Sequence, residues 1–585
     1  DIARLPVRNV SELVALSPGA VLRDYGGTGT LQLASLRGMG AEYTLVLLNG
    51  LRLNHAQNAS VDLGQLSLRQ VERVEIARGG FTALYGSSAL GGVVNIVTAR
   101  HDVRPSLQLG YGAFGWKQAQ FAVGTSGSHG RLFADLQYEE ADNDFSFTPS
   151  FGGEAIARRN ADMIRRSLAA GGTLLMEDAS LTFFADLHSH RAGTPGAVLS
   201  PSQGVARQND DGGLLSAQLD WQLSDRQRMR ISGGVQLGRQ EYRDPNLRIG
   251  GEELHSIYDT RRLSLAATME RGFGDGHRLS YGVEAAEDAL DSEEVQDAPR
   301  RLLGAAFAAG DIVFSLGDVP LHLYPSLRWD GLRDNTGDRS FSEVTPSLGV
   351  QARLLPWLSA RARWARSFSA PTFNQLYWRE GGNADLRPEY STAWEGGLVY
   401  SGSTTLRSVE VTAFTHDITD KVVWTPDVGI YWTPNNIQHV ISHGLEAAAD
   451  LRFLQDRLVM QLNAQWNSAR KINASFPGDE TEGKQLIYVP RFSGSALLGA
   501  SISANLSASA TLRVLGERYY TESNDASLPA HAVLDLAVSG GLPLAGLRLD
   551  AKLELRNALD SAYDVVAFYP MPGRHARLYL TTTLP

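Results

Sequence analysis

The chain has 585 residues, 43% hydrophobic and 20% charged, with 54 Lys+Arg against 64 Asp+Glu and no cysteine. Its net charge of −10 sets nucleic acid aside, because a phosphate backbone wants a basic face, and the missing cysteines exclude a disulfide framework and any thiolate metal site. No apolar run approaches the roughly 18–20 residues of a spanning helix, so the chain is either three or four soluble domains or one closed barrel whose alternate residues face lipid.

From the start, Asp1 is preceded by no charged n-region or apolar h-region, so a signal peptide is read as already removed. NVSELVALSPGA predicts a short helix with Asn9 as N-cap, Glu12 three residues on, an apolar stripe through Leu13 and Leu16, and a stop at Ser17-Pro18-Gly19. YTLVLLNGLRLN predicts a hairpin, since Asn49-Gly50 is the dipeptide that takes two positive φ angles at least cost. QVERVEIARGG predicts a strand with Glu72 and Glu75 exposed, and a second strand is expected from Val93 to Thr98. Gly79, Gly80, Gly86, Gly91 and Gly92 lack the Gly-Lys-Ser/Thr or GxGxxG context of a phosphate loop and are read as turn and close-approach glycines. Residues 1–100 are therefore a small α+β unit.

Beyond residue 101 the pattern has a period of two. Leu132, Ala134, Leu136 and Tyr138 alternate with Phe133, Asp135, Gln137 and Glu139; LLSAQLDWQLS and LRLDAKLELRN repeat the pattern. A soluble sandwich strand alternates as well, but no linkers divide the chain, and closure into one barrel satisfies every backbone group. Residues 101–585 allow about 22 residues per strand and connection at 22 strands, or about 30 at sixteen.

The ordered segments LRGMG (36–40), TLVLLNGLRLN (44–54), QVERVEIARGG (70–80) and TALYGSSALGGVVNIVT (82–98) resemble the plug of TonB-dependent outer-membrane receptors. FSAPTFNQLYWREGGNADLRPEYSTAWEGGL (368–398), HGLEA (443–447), YVPRF (488–492) and the closing strands from Arg556 resemble that family's barrel. The resemblance implies an all-β membrane protein: an antiparallel barrel of about 22 strands over 101–585, with residues 1–100 as a plug in its lumen. Three positions depart from the family pattern: Gly80 replaces a proline, Asn383-Ala384 replaces Asn-Pro, and Leu584-Pro585 replaces an aromatic terminus. The energy-coupling box is expected upstream of Asp1, on a chain trimmed at its N-terminus.

The resemblance implies active uptake of a scarce bulky ligand across the bacterial outer membrane, powered by the TonB–ExbB–ExbD complex. It implies no catalysis and no required cofactor, and a monomer among outer-membrane lipid and lipopolysaccharide, with a surface lipoprotein as a further candidate partner. Arg37 and Arg78 would face Glu395 and Glu446 as a plug–barrel lock, with interchangeable lumen charges as the alternative. His55, Gln57 and Asn58, with Tyr377, Trp378 and Arg379, are candidate ligand contacts; the two aromatics could equally be an interfacial belt. Asp142, Asp144, Asp210 and Asp211 are candidate Ca²⁺ ligands in extracellular loops, against solvated loop acids. Among ligands the resemblance is greatest to cobalamin transporters; a ferric siderophore or haem is the alternative. A passive porin-like channel or a surface-binding protein is the reading of another class.

Overall fold

The computed structural model describes residues 2–68, 71–98, 104–149, 152–199, 204–249, 251–274, 276–402, 404–426, 432–475, 478–544 and 547–583. The expected boundary near residue 100 and the terminal Leu584-Pro585 lie outside them.

Residues 2–98 form a unit of their own. Helix α1 (Val10–Val14) is capped by Asn9, whose side chain accepts from the Glu12 amide at 3.2 Å. Its buried stripe is Val10 and Val14 rather than Leu13 and Leu16, which are half-buried. The helix is little more than one turn, so its cap, not a long periodic face, fixes which side turns inward. A hairpin of β1 (Ala20–Asp24) and β2 (Gln32–Leu36) follows. Strands β3 (Thr44–Leu48), β4 (Leu51–Arg52), β5 (Val71–Arg78) and β6 (Gly92–Thr98) then form a sheet of order β4-β3-β6-β5, in which β3 and β6 run parallel. Asn49 and Gly50 both have positive φ, 52° and 86°, as a type I′ turn requires. A helical turn, α2 (Thr82–Tyr85), joins β5 to β6.

The remainder closes into an antiparallel barrel of 22 strands: β7 (Ser106–Gly112), β8 (Lys117–Gly127), β9 (Gly130–Ala141), β10 (Met163–Leu175), β11 (Ala179–Thr194), β12 (Ala206–Ser224), β13 (Gln227–Ile249), β14 (Glu252–Phe273), β15 (His277–Asp291), β16 (Arg300–Leu316), β17 (Val319–Asp334), β18 (Ser340–Leu355), β19 (Leu358–Ser369), β20 (Glu389–Ser401), β21 (Leu406–Pro426), β22 (Trp432–Phe453), β23 (Leu458–Lys471), β24 (Phe492–Ser503), β25 (Leu506–Leu515), β26 (His531–Leu544), β27 (Leu547–Arg556) and β28 (His575–Thr583). Strand β28 returns to β7, from Arg577 opposite Gly112 to Thr583 opposite Ser106, so no edge remains.

Burial is inverted relative to a soluble sheet. In β12 Leu215 is 59% exposed while Ser216 and Asp220 are buried; in β27 Leu553 is exposed while Glu554 is wholly buried. Apolar side chains face outward and charged ones inward, which is stable only with lipid outside and a filled polar lumen inside. Trp329, Trp394 and Trp466 face outward, each five residues from the same end of its strand, and Trp221, Phe273, Phe314 and Trp357 gather near the other end. These are the two aromatic girdles of a membrane barrel. Turns of two to four residues join the strands at the end where β7 begins and β28 finishes, and the longest connections, such as 370–388 and 472–491, lie at the opposite, extracellular end.

The N-terminal unit sits inside this wall. Its core of Leu36, Val46, Leu48, Val94 and Ile96 continues without a break onto the wall residues Ala169, Phe184 and Leu214.

Candidate functional site

Two ionic clusters fasten the unit to the wall. In the first, Arg37 ends β2 with a left-handed backbone (φ 53°) that turns its side chain toward β20–β22. Its guanidinium donates to both oxygens of Glu446, each at 3.0 Å, and to Glu395 at 2.7 Å, and it lies over the Phe414 ring. Burial works against its charge, but Glu446 and then Glu395 outweigh that, so its pKa is raised. Arg78, at the end of β5, donates to Glu446 at 3.0 Å and to Glu410 at 2.7 Å, and Arg361 shares Glu410. Arg363 donates to the Gly80 carbonyl and stacks on Phe81. A Cβ at position 80 would lie 2.5 Å from the Ser367 hydroxyl, so the close approach of this wall strand accounts for glycine where the family pattern has proline.

The second cluster has the opposite polarity. Here the unit supplies the carboxylate: Glu12 accepts from Arg556 of β27 at 2.7 Å and from Arg8 of its own unit at 2.6 Å. Arg556 also pairs with Asp535 at 3.3 Å, which Arg513 reaches at 3.0 Å. The segment before α1 is strapped to the same wall, with the carbonyls of Arg4, Leu5 and Pro6 accepting from Ser509, Lys552 and Arg556. Neither this cluster nor Glu410 stands out in the sequence. Glu12 showed only its cap spacing, although Glu410 alternates with Thr412 and Phe414 and so shares their inward face.

At the extracellular end, the loop after β4 is built on buried Asn54, whose amide accepts from Val46 N at 2.7 Å and donates to the carbonyls of Thr44 and Ala59. The loop is pinned to a short helix, α3 (Phe373–Tyr377), through Phe373 N to Ala56 O at 2.9 Å and Asn374 N to Gln57 O at 3.1 Å. A capping box of Thr372 and Gln375 starts α3. His55 is half-buried beside Thr260, and burial above all lowers its pKa below 6.5, so the ring is neutral at pH 7. Gln57 is buried and Asn58 exposed.

Trp378 and Arg379 are exposed, and Trp378 meets the edge of Trp424 at 5.8 Å. Tyr377 is placed differently from the sequence expectation. It is 3% exposed, packs with Phe373 and Leu376, and donates to Asp334 at 2.7 Å, because α3 turns it inward as the helix's own anchor. It is neither a presented ligand contact nor part of a belt.

The acidic candidates also need correction. Asp210 and Asp211 lie within β12, not in a loop, because that strand continues past the membrane boundary. Asp210 accepts from Gln65, Gln208 and Gln240, and Asp211 pairs with Arg191. Asp142 and Asp144 follow β9, with only a short two-stranded ribbon of Ser146–Phe147 and Ile156–Ala157 between them and β10. Among the described residues no group of three or more His, Asp or Glu is placed to hold a metal ion.

Below the apical loop a cavity of about 220 Å³ separates the unit from strands β10–β14. Glutamines (Gln57, Gln65, Gln208, Gln236, Gln240) and aspartates (Asp62, Asp186, Asp210, Asp211) make up much of its polar lining; its arginine, Arg239, is paired with Asp259 at 3.0 Å. Burial pushes Asp62 up to about 6, against the hydrogen bonds from Gln32 and Gly64. A carboxyl raised by folding adds stability that is full below its unfolded value and lost as pH rises through about 6. Hydrogen exchange across residues 58–66, corrected for its intrinsic pH dependence, should therefore slow on going from pH 7 to pH 5.

A family model described as the β-barrel of TonB dependent receptor-like proteins matches residues 20–557. The chain belongs to the TonB-dependent receptor family. A TonB-dependent receptor with this barrel resides in the outer membrane and transports a small-molecule ligand with energy delivered through TonB; the family comprises transporters and receptors, not enzymes. Among curated relatives of this receptor, the vitamin B12 transporter BtuB of Photobacterium profundum is 26% identical over 553 residues, spanning 92% of this chain and 84% of the relative. BtuB of Vibrio vulnificus is 24% identical, spanning 92% and 83%. Among solved structures, the FrpB iron transporter of Neisseria meningitidis superposes with a TM-score of 0.81 at 14% identity, covering 99% and 97% of the two chains. The ferric enterobactin receptor PfeA of Pseudomonas aeruginosa gives 0.79 at 20%, covering 100% and 97%. These two likenesses concern the fold alone.

Proposed function

We propose that this receptor takes up cobalamin or a related corrinoid. The observation that carries the reading is the cavity lining: five glutamines and four aspartates, with the cation Arg239 already paired. A corrinoid presents a rim of carboxamides and little net charge, which amide and carboxylate acceptors match. A ferric catecholate is anionic and would meet a lining with four carboxylates and one arginine that is already paired. Two relatives that align over most of both chains are vitamin B12 transporters, which supports the same choice. The ferric-siderophore reading finds exposed Arg379 beside Trp378 at the mouth, but acids below it.

In this reading residues 2–98 act as the plug, and His55, Gln57, Asn58, Trp378 and Arg379 meet the ligand from plug apex and rim together. Arg37 and Arg78 with Glu395, Glu410 and Glu446 form the lock that the pull of TonB releases. Calorimetry on detergent-purified protein, with and without calcium, should show binding of cyanocobalamin and none of ferric enterobactin or haemin. Trp378→Ala should weaken that binding about tenfold, roughly 1.4 kcal/mol. Tight binding of either iron ligand without cobalamin would transfer the protein to iron uptake.

A further inference from the structure

The inward face of β11 runs Phe184, Asp186, His188, His190, rising from wall packed against the N-terminal unit toward the extracellular rim. Asp186 and His188 line the cavity beneath the apical loop, and Nδ1 of His188 lies 2.8 Å from the Asp186 carboxylate. An ionised carboxylate only accepts, so Nδ1 carries the ring proton and the lone pair of the neutral imidazole stands on Nε2. Among the described residues Nε2 has no hydrogen-bond partner, yet it is not sealed off, and the side chain stays 33% exposed. His188 stands opposite Gly212 of β12, where a Cβ would lie 2.3 Å from Nε2. Gly212 has no left-handed φ. Glycine there leaves the imidazole its place, although it weakens the strand.

The neighbouring histidines are built differently. Both nitrogens of His190 are enclosed, with Nδ1 3.7 Å from Asp210, and His55 faces Thr260 through Nδ1 at 3.4 Å without a carboxylate partner among the described residues. Around this cavity only His188 joins a carboxylate on one nitrogen to an open second nitrogen, the arrangement that orients an imidazole toward a metal and raises its basicity. Among the described residues no group of three donors is placed to hold a free ion, so a metal that meets Nε2 must arrive already held by a chelate of its own. The surroundings are acidic as well. Asp211 pairs with Arg191 and Arg239 with Asp259, but Asp62 and Asp210 have no arginine partner among the described residues.

We propose that His188 is an axial ligand to the metal of the cargo, and that the receptor thereby selects the aquo form of a corrinoid. The inference rests on the corrinoid reading above. Nε2 gives its lone pair to cobalt as the bond from cobalt to its axial water breaks; the water leaves, Nδ1 keeps its proton against Asp186, and the oxidation state of cobalt is unchanged. The aquo form also carries one positive charge more than the cyano form, which the acidic lining favours. Imidazole does not displace cyanide from cobalt, so cyanocobalamin gains neither advantage.

The test is visible absorption spectroscopy with calorimetry on the full chain in mild detergent, using aquocobalamin and cyanocobalamin. Wild type should bind aquocobalamin about tenfold more tightly than cyanocobalamin. On binding, the bands of aquocobalamin should move to the positions that free imidazole gives it, while those of cyanocobalamin stay. His188→Gln should lose the band shift and reduce the affinity difference to about twofold, the part owed to charge. Gly212→Val, which crowds Nε2 from the opposite strand, should lose the shift too and keeps the test open if His188→Gln fails to fold. Binding of both forms with no band shift for aquocobalamin would overturn the axial bond and leave the corrinoid reading standing. A shift kept in His188→Gln but lost in His55→Gln would overturn the assignment in favour of the other imidazole. Binding of neither form would remove the corrinoid reading and this inference with it.

Discussion

Replacing Arg37 with alanine is expected to loosen the whole N-terminal unit. The substitution leaves Glu446, buried and desolvated, without its bidentate partner, and deprives Glu395 as well. Breaking a buried pair on one side typically costs about 3–5 kcal/mol, because the remaining charge stays out of water. Hydrogen exchange of residues 32–48 and 71–98 should accelerate by several orders of magnitude while the barrel strands remain protected. Arg78→Ala should cost clearly less, since Glu446 keeps Arg37 and Glu410 keeps Arg361. Adding Glu446→Gln to Arg37→Ala should recover part of the loss. Wild-type exchange in Arg37→Ala would dismiss the lock.

The second large effect concerns Glu12 and Arg556. Arg556→Ala takes the shared donor from Glu12 and Asp535, which keep Arg8 and Arg513, and removes the donor to the Pro6 carbonyl, so a local cost of about 1–3 kcal/mol is expected, confined to residues 2–24. Acid should act on the same segment in wild type. Burial pushes the Glu12 carboxyl up, but Arg556 and Arg8 outweigh it and hold it well below its ordinary 4.5. A depressed carboxyl contributes stability above its unfolded value, and that contribution is lost as pH falls through the folded value. Below about pH 4 exchange in residues 2–24 should rise, whereas residues 58–66, governed by Asp62, should by then be at their slowest. If both segments loosen together, one of these assignments is wrong.

Much of the architecture was legible because its physics is local and repeated. Alternation along β9, β12 and β27 told which residues share a face, and Asn49-Gly50 fixed a turn from two residues. What alternation could not supply was the sign of burial: the same pattern suits a soluble sheet until the exposed Leu215 and the buried Glu554 show which side is wet. The misplacements have similar causes. Asp210 and Asp211 sit in the polar run RQNDDGG, which reads as a loop, yet β13 continues beside it and supplies the backbone partners. Tyr377 reads as available from its place between Leu376 and Trp378, but the capping box of Thr372 and Gln375 starts α3 there and turns it inward. The Glu12–Arg556 pair joins residues 544 positions apart, and no spacing rule links them.

The opposite signs of the two clusters have a consequence for assembly. The unit presents Arg37 and Arg78 to the carboxylates of β20–β22 and Glu12 to Arg556 of β27. A unit turned one way about the barrel axis would bring Arg37 and Arg78 toward Arg513 and Arg556, and one turned the other way would bring Glu12 toward Glu395 and Glu446, so both of these settings set like charges together. The pattern works as a keyed connector: during folding it favours one rotational setting without relying on fine shape.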